Sequence, residues 1–461
     1  MSTLPPDHPQ RLALAEEAHA RPPEPLQAPA RATYVAVLLD PEDREREFAH
    51  LSSLCGQFGV APPGGAATHF SAQLGGLRLK WERHGEFSGY TFFTPGLSPE
   101  PFSQPPAAAL PPGWLAEVPG ATIVAAHAKL IPAGRELPDA AFLARHFNGN
   151  IAVGSEIGDG AGLAFTDFRT HADGFSRFLV LDRSFTPRQA GRTLQRLFEI
   201  EAYRMLALLA LPIARRQSPR TVAIEKSLAA LTSAISHETT RETAGITARV
   251  TARVTPETAR GSARETDEDE ALLHELTRLA AEVESGLAAS QFRFGACRAY
   301  FELVSARVGE LREQRLPGLQ TFEEFMARRF TPAVATCNTV SQRLHDLSER
   351  VAQASALLST RVDITRERQN QALLASMDRR ARLQLRLQQT VEGLSVAAIV
   401  YYMAGVIGYL AKGLKAGGAH IDPDLIVGLA IPVVAVLVML GLRRAHRKIA
   451  RAEPGAVSPL H

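Results

Sequence analysis

The densest set of chemistry-bearing side chains is TDFRTHADGFSR, residues 166–177, which holds Asp167, Arg169, His171, Asp173 and Arg177. Carboxylates and an imidazole this close can hold a divalent cation, with Asp167, His171 and Asp173 as the candidate ligands. The same residues also make ordinary structure. Asp167 and Arg169 lie two apart, so on a strand they share a face and can pair, and His171-Ala172-Asp173-Gly174 has the composition of a turn. No spacing here is specific for a metal. EAHARPP places Glu17, His19 and Arg21 within five residues, as an anion or metal site or as an N-terminal arm that pairs with its domain. WERHGEF, residues 81–87, reads as a hairpin of alternating charge. GDGAG, residues 158–162, lacks the Lys-Ser/Thr end and following helix of a phosphate loop. No GxSxG, HExxH or dinucleotide fingerprint occurs, so no catalytic residue and no organic cofactor is indicated. A divalent cation is the one cofactor these side chains suggest.

A second pattern lies near the C-terminus. Two apolar runs, 394–410 and 425–442, carry no charge and are 17 and 18 residues long. That length indicates a transmembrane hairpin; the alternative is a hairpin buried in a soluble core. Across the first run Glu392, Ser395, Ala398, Tyr402, Gly405 and Tyr409 recur three or four residues apart and share one helix face. Such a stripe faces protein or water rather than lipid. It can line a pore in a ring of subunits, with Glu392 at the cytoplasmic mouth, or form a dry packing seam, for which Ala404-xxx-Gly408 also allows close approach. Arg379, Arg380, Arg382 and Arg386 precede the first run, and Arg443, Arg444, Arg447, Lys448 and Arg451 follow the second. Positive flanks mark the cytoplasmic side. Multi-pass insertion in a bacterial inner membrane, with both termini and most of the chain cytoplasmic, is therefore expected.

The elements that must position these groups change character along the chain. Strand patterns at 33–40, 77–93 (a hairpin turning at His84-Gly85), 121–131 and between 151 and 182, with helices at 43–58 and 138–147, give an α+β cytoplasmic head over 1–186. Thr186-Pro187 opens a helical region, 187–330, with helices at 187–210, 219–236 and 267–315. Its Thr/Ala/Arg-rich tract, 239–270, repeats ITARV, VTARV, PETAR and GSARE. It reads as a flexible loop, with a charged helix extension as the alternative. From Thr331-Pro332 no proline occurs as far as Leu410. A single helix there runs roughly 120 Å. Its stalk portion, 331–393, carries Leu344, Leu347, Val351, Ala354 and Leu358 at coiled-coil spacing, before the hairpin of 394–442 and a basic tail, 443–461.

Composition sets bounds. The chain has 461 residues, a net charge of +3 and basic residues interleaved with acidic ones, which gives no case for nucleic acid. Cys55, Cys297 and Cys337 lie far apart in sequence and without metal spacing, as expected of reduced thiols. The lipid bilayer and further copies of the chain are the expected partners.

HPQRLALAEEAHARPP, RLKWERHGEFSGYTFF, TDFRTHADGFSR, QRLFEIEAYRMLALLALP and the run from Arg361 through VDITRERQNQ to AAIVYY resemble an uncharacterised family of bacterial membrane-anchored proteins, domain of unknown function 3422. That resemblance implies an inner-membrane location and brings no activity or site. The architecture also resembles the CorA-type metal-ion transporters: AGVIGY, residues 404–409, looks like the approach to their Gly-Met-Asn signature, although Tyr409 and Leu410 stand where Met-Asn would follow. The expected function is thus a CorA-like ion channel or transporter lacking that signature, or, alternatively, a membrane-anchored scaffold or regulator with a partner-binding head.

Overall fold

The structure, a computed structural model, describes residues 5, 7–12, 14–15, 22–65, 67–134, 136–249, 256–416 and 422–452. The chain divides into two compact units, Met1–Leu358 and Ser359–His461.

The first unit is a mixed α+β fold around a large sheet. Its strands are β1 (Ala30–Leu38), β2 (His69–Leu74), β3 (Leu77–Arg83), β4 (Phe87–Pro95), β5 (Ala121–Pro132), β6 (Val153–Ile157), β7 (Gly162–Thr166), β8 (Ser176–Asp182) and β9 (Gln314–Arg315). They lie in the order β2-β3-β4-β1-β5-β8-β7-β6-β9. Only the central β5–β8 pair is parallel among the named strand pairs; the others are antiparallel. The expected hairpin is β3–β4, with His84 and Gly85 in its turn. Strands β2 and β9 go beyond the sequence reading: β2 follows a Gly/Pro-rich stretch that hides its alternation, and β9 is two residues long.

Strand periodicity divides the packing. Ala32, Tyr34, Ala36, Ala126, Ala128, Leu130, Phe178 and Val180 point to one face. There they meet helix α3 (Pro187–Leu208), through Leu194, Leu197 and Phe198, and helix α5 (Pro256–Leu311), through Phe294, Cys297 and Val304. This core runs straight across residue 186, where the secondary structure changes. The other face carries two smaller cores. One joins Val35, Val37, Trp81 and Phe92 to helix α1 (Arg44–Gln57). The other joins Phe165, Leu179 and Leu181 to helix α2 (Ala140–His146). Between them, Arg31 stands opposite Lys129 and His127 opposite Arg177, so the middle of this face is polar.

Helix α3 starts as its sequence indicates. Thr186 accepts from the backbone of Gln189, whose side chain accepts in return, and Pro187 fills the first turn. Helix α4 spans Ala210–Arg249 and contains Pro219, which the sequence placed at a helix start. Ala210 and Ala214, buried in the main core, hold helical backbone ahead of the proline. The Thr/Ala/Arg tract is also corrected. Its described residues are helical up to Arg249 and again from Pro256, while 250–255 lie outside the described residues. Alanine and arginine are strong helix formers, so the extension reading prevails over the loop. Helix α6 (Phe322–Arg329) escaped the sequence reading, although Thr321-x-x-Glu324 is a complete capping box. Helix α7 spans Thr331–Ala416, so the proline-free stretch is one helix. Leu347, Val351 and Leu358 are buried with Ile224 and Leu228 of α4 and Leu276, Leu279 and Val283 of α5.

The second unit holds the end of α7 and helix α8 (Pro423–Ala452), with Pro432 inside it. Two helical stretches, Phe322–Leu414 and Pro423–Gly441, are long and apolar enough to cross a membrane; their most apolar windows have mean hydropathy 1.8 and 2.5. Only 11% and 6% of those windows is buried, unlike the helices of a soluble core.

Candidate functional site

The Asp167 cluster lies where β7 and β8 pair, and the loop between them folds back over it. His171 Nε2 stands 2.9 Å from Asp167 Oδ2, and the two side chains are 3% and 0% exposed. Asn150 donates to the same oxygen at 2.8 Å, and the backbone N–H of Arg169 donates to Asp167 Oδ1 at 3.2 Å. The expected pair between Asp167 and the Arg169 side chain is therefore replaced by Asp167–His171, because the chain turns immediately after the strand and brings the imidazole back. The turn itself is as expected: Gly174 N–H donates to the His171 carbonyl at 2.9 Å, with Gly174 at φ +82°. Asp173 is held elsewhere. Its Oδ1 accepts from the Phe175 N–H at 3.1 Å, and its other oxygen lies 3.6 Å from Arg177. Asp167 and His171 are thus brought together, and Asp173 serves the turn. Among the described residues no group of three or more His, Cys, Asp or Glu converges to hold a metal ion.

Next to this network the polar middle of the sheet gathers cations and aromatics. His127 stacks on Phe175 with ring centres 3.9 Å apart and shares a 3.1 Å hydrogen bond with Thr33. Burial lowers its pKa to about 4. Burial, then Arg145 and Arg31, lower the pKa of Lys129. Arg177 stacks 5.2 Å from the Phe102 ring centre and donates to the His146 carbonyl at 3.1 Å.

The other sequence motifs resolve as follows. Glu17, His19 and Arg21 lie outside the described residues. WERHGEF is the hairpin expected, but its interior is more constrained than alternating charge implies. Trp81 Nε1 and the Tyr90 hydroxyl each donate at 2.9 Å to Glu47 Oε1, fully buried on α1. Lys80 and Glu82 pair at 2.9 Å while almost fully buried. Glu47 gave no sequence signal, since a lone glutamate in a helix looks solvated. GDGAG is the β6–β7 turn, with Gly158, Asp159 and Gly160 all at positive φ.

A cavity of about 550 Å³ opens between β6, the start of α3 and the end of α5. Its polar wall is Gln189, Arg192, Thr193, Arg196, Glu310 and Arg312. No motif announced it, because its two arginine-bearing walls are more than a hundred residues apart in sequence.

On α7, the close-approach motif and the polar stripe part company. Ala404 and Ala411 are buried, and a Cβ on Gly408 would come within 3.2 Å of Val427 on α8. Ser395, Ala398, Tyr402, Gly405 and Tyr409 are all exposed. The side chain of Glu392 lies outside the description.

The sequence profile of the family described as Protein of unknown function (DUF3422) matches residues 6–264 and 248–449. The chain belongs to this family. Within DUF3422 the match takes in the whole sheet, the helices that cover it and both apolar stretches, and its two segments overlap at 248–264, inside the Thr/Ala/Arg tract. No curated protein and no solved structure matches the chain.

Proposed function

We propose that this chain is an integral inner-membrane protein that assembles around α7 into an ion-conducting channel or transporter of CorA-like architecture, without the Gly-Met-Asn signature. One observation carries the reading: Ala404, Gly408 and Ala411 serve close packing, with Gly408 against α8, while the stripe from Ser395 to Tyr409 stays uncovered. Ser395 already donates to the Val391 carbonyl at 2.9 Å, but the Tyr402 and Tyr409 hydroxyls make no hydrogen bond among the described residues. Facing hydrocarbon they cost free energy, so this face of a spanning helix calls for water or a second protein surface. Leu373, Met377, Leu383 and Leu387, all exposed on α7 ahead of the apolar run, support pairing between copies as a coiled coil. The arginines flanking both runs support a hairpin with both ends cytoplasmic.

Cation flux into proteoliposomes tests the proposal. Purified protein is expected to raise flux of a monovalent or divalent cation above empty vesicles, and Glu392→Ala to lower it several-fold by removing charge at the pore mouth. Flux no greater than in empty vesicles for every cation tried overturns the channel. An exchange of 394–442 for an unrelated two-span anchor separates the alternatives: a scaffold keeps its cellular role after the exchange, and a channel loses it.

A further inference from the structure

The cavity between α3 and the end of α5 has the attributes of a ligand site, independently of the membrane reading. Its volume of about 550 Å³ suits a small organic molecule. Its apolar wall includes Ile157, Phe185 and Leu311.

Its polar wall is cationic in excess. Three arginines line it, Arg192, Arg196 and Arg312, against one carboxylate, Glu310. Glu310 is already matched twice, accepting from Arg196 Nε at 2.7 Å and from Arg307 at 2.8 Å. Arg312 pairs with Asp159. Arg192 has no hydrogen bond or ion pair among the described residues. Arg196 spends only its Nε on Glu310, which leaves its two terminal nitrogens uncommitted. Thr193 lines the same cavity at 6% exposure, and its hydroxyl makes no hydrogen bond among the described residues. A hydroxyl with no protein partner, beside an uncompensated guanidinium, gives the cavity donors that the protein itself does not match. Its floor is buried, at Ile157, Thr193 and Leu311, while Gln189, Arg192 and Arg312 stand exposed at its mouth and Arg196 is half-buried between them.

We propose that this cavity binds a small phosphorylated organic molecule, its phosphate taken by Arg192, Arg196 and the Thr193 hydroxyl and its apolar body lying against Phe185 and Leu311. Guanidinium and hydroxyl donors match phosphate oxygens in geometry and charge. The apolar wall supplies the part of the affinity that inorganic phosphate cannot reach.

Calorimetric titration of the detergent-solubilised full chain with phenyl phosphate, inorganic phosphate and benzyl alcohol tests this. Phenyl phosphate is expected to bind saturably at one site per chain, inorganic phosphate about tenfold more weakly, and benzyl alcohol not at all. Arg192→Ala is expected to weaken phenyl phosphate binding about tenfold and the isosteric Thr193→Val about fivefold, while Arg220→Ala, an exposed arginine on α4, changes nothing. Arg192 is exposed and unpaired, so its loss leaves the fold intact; melting temperatures of both variants check this. No saturable heat from phenyl phosphate, equal binding of benzyl alcohol, or wild-type affinity in Arg192→Ala each overturns the proposal. Equal affinity for inorganic and phenyl phosphate overturns the assignment of an apolar body.

Discussion

At the scale of single residues, two buried polar groups set the clearest expectations. Glu47 accepts from both Trp81 and Tyr90 in a fully buried position. Glu47→Leu removes one acceptor and strands two donors, each worth about 1–3 kcal/mol when left buried and unpaired. Urea unfolding should show a loss of about 3 kcal/mol, with Glu47→Gln much milder because its amide oxygen still accepts. His127 gives the pH dependence. Its folded pKa is about 4, against about 6.5 when unfolded. Between these values the unfolded chain binds a proton that the folded chain refuses, so stability falls as pH drops from about 6.5 to about 4. The loss approaches 3 kcal/mol at the lower end. Melts at pH 7 and pH 4.5 should differ less in His127→Gln than in the wild type; an unchanged difference would remove His127 as the cause.

At the scale of elements, α3 is the organiser, and one glycine shows how closely it is fitted. A Cβ on Gly191 would lie 1.7 Å from the backbone oxygen of Glu24, in the segment whose Leu26 N–H donates to the Pro187 carbonyl. Gly191→Ala must displace that backbone, at a cost on the order of 3 kcal/mol, visible as a lowered melting temperature. Thr321→Ala removes the cap of α6 and should cost about 1 kcal/mol by the same measurement. These elements were unequally legible. Where apolar period and caps agreed, as at Thr186-Pro187 and in the strands 121–131 and 176–182, the reading and the structure coincide. The Thr/Ala/Arg tract misled because missing bulky residues argue against burial but not against helix. The candidate site was legible only locally. Residues 166–177 announced a polar cluster, yet whether Asp173 joins Asp167 depends on where a turn sends the chain. The cavity, assembled from three distant segments, left no local trace.

At the scale of the whole molecule, the head-forming unit ends at Leu358, and both uncharged apolar runs, 394–410 and 425–442, lie beyond it. If those stretches hold the protein in a membrane, a chain ending at Leu358 should move to the soluble fraction while the full chain sediments with membranes; fractionation and immunoblotting decide it. Soluble full-length chain would contradict the anchoring. The sheet has a further consequence. Its last strand, β9, pairs with β6, and there Glu313 accepts from Ser155, 158 residues earlier. During synthesis the β6 edge is complete long before its partner leaves the ribosome. For that interval it presents open backbone donors and acceptors to any passing strand. Chains arrested before Gln314 should therefore be the ones that aggregate or recruit chaperones. The two short residues of β9 act as the stitch that finishes the hem, long after the cloth is woven.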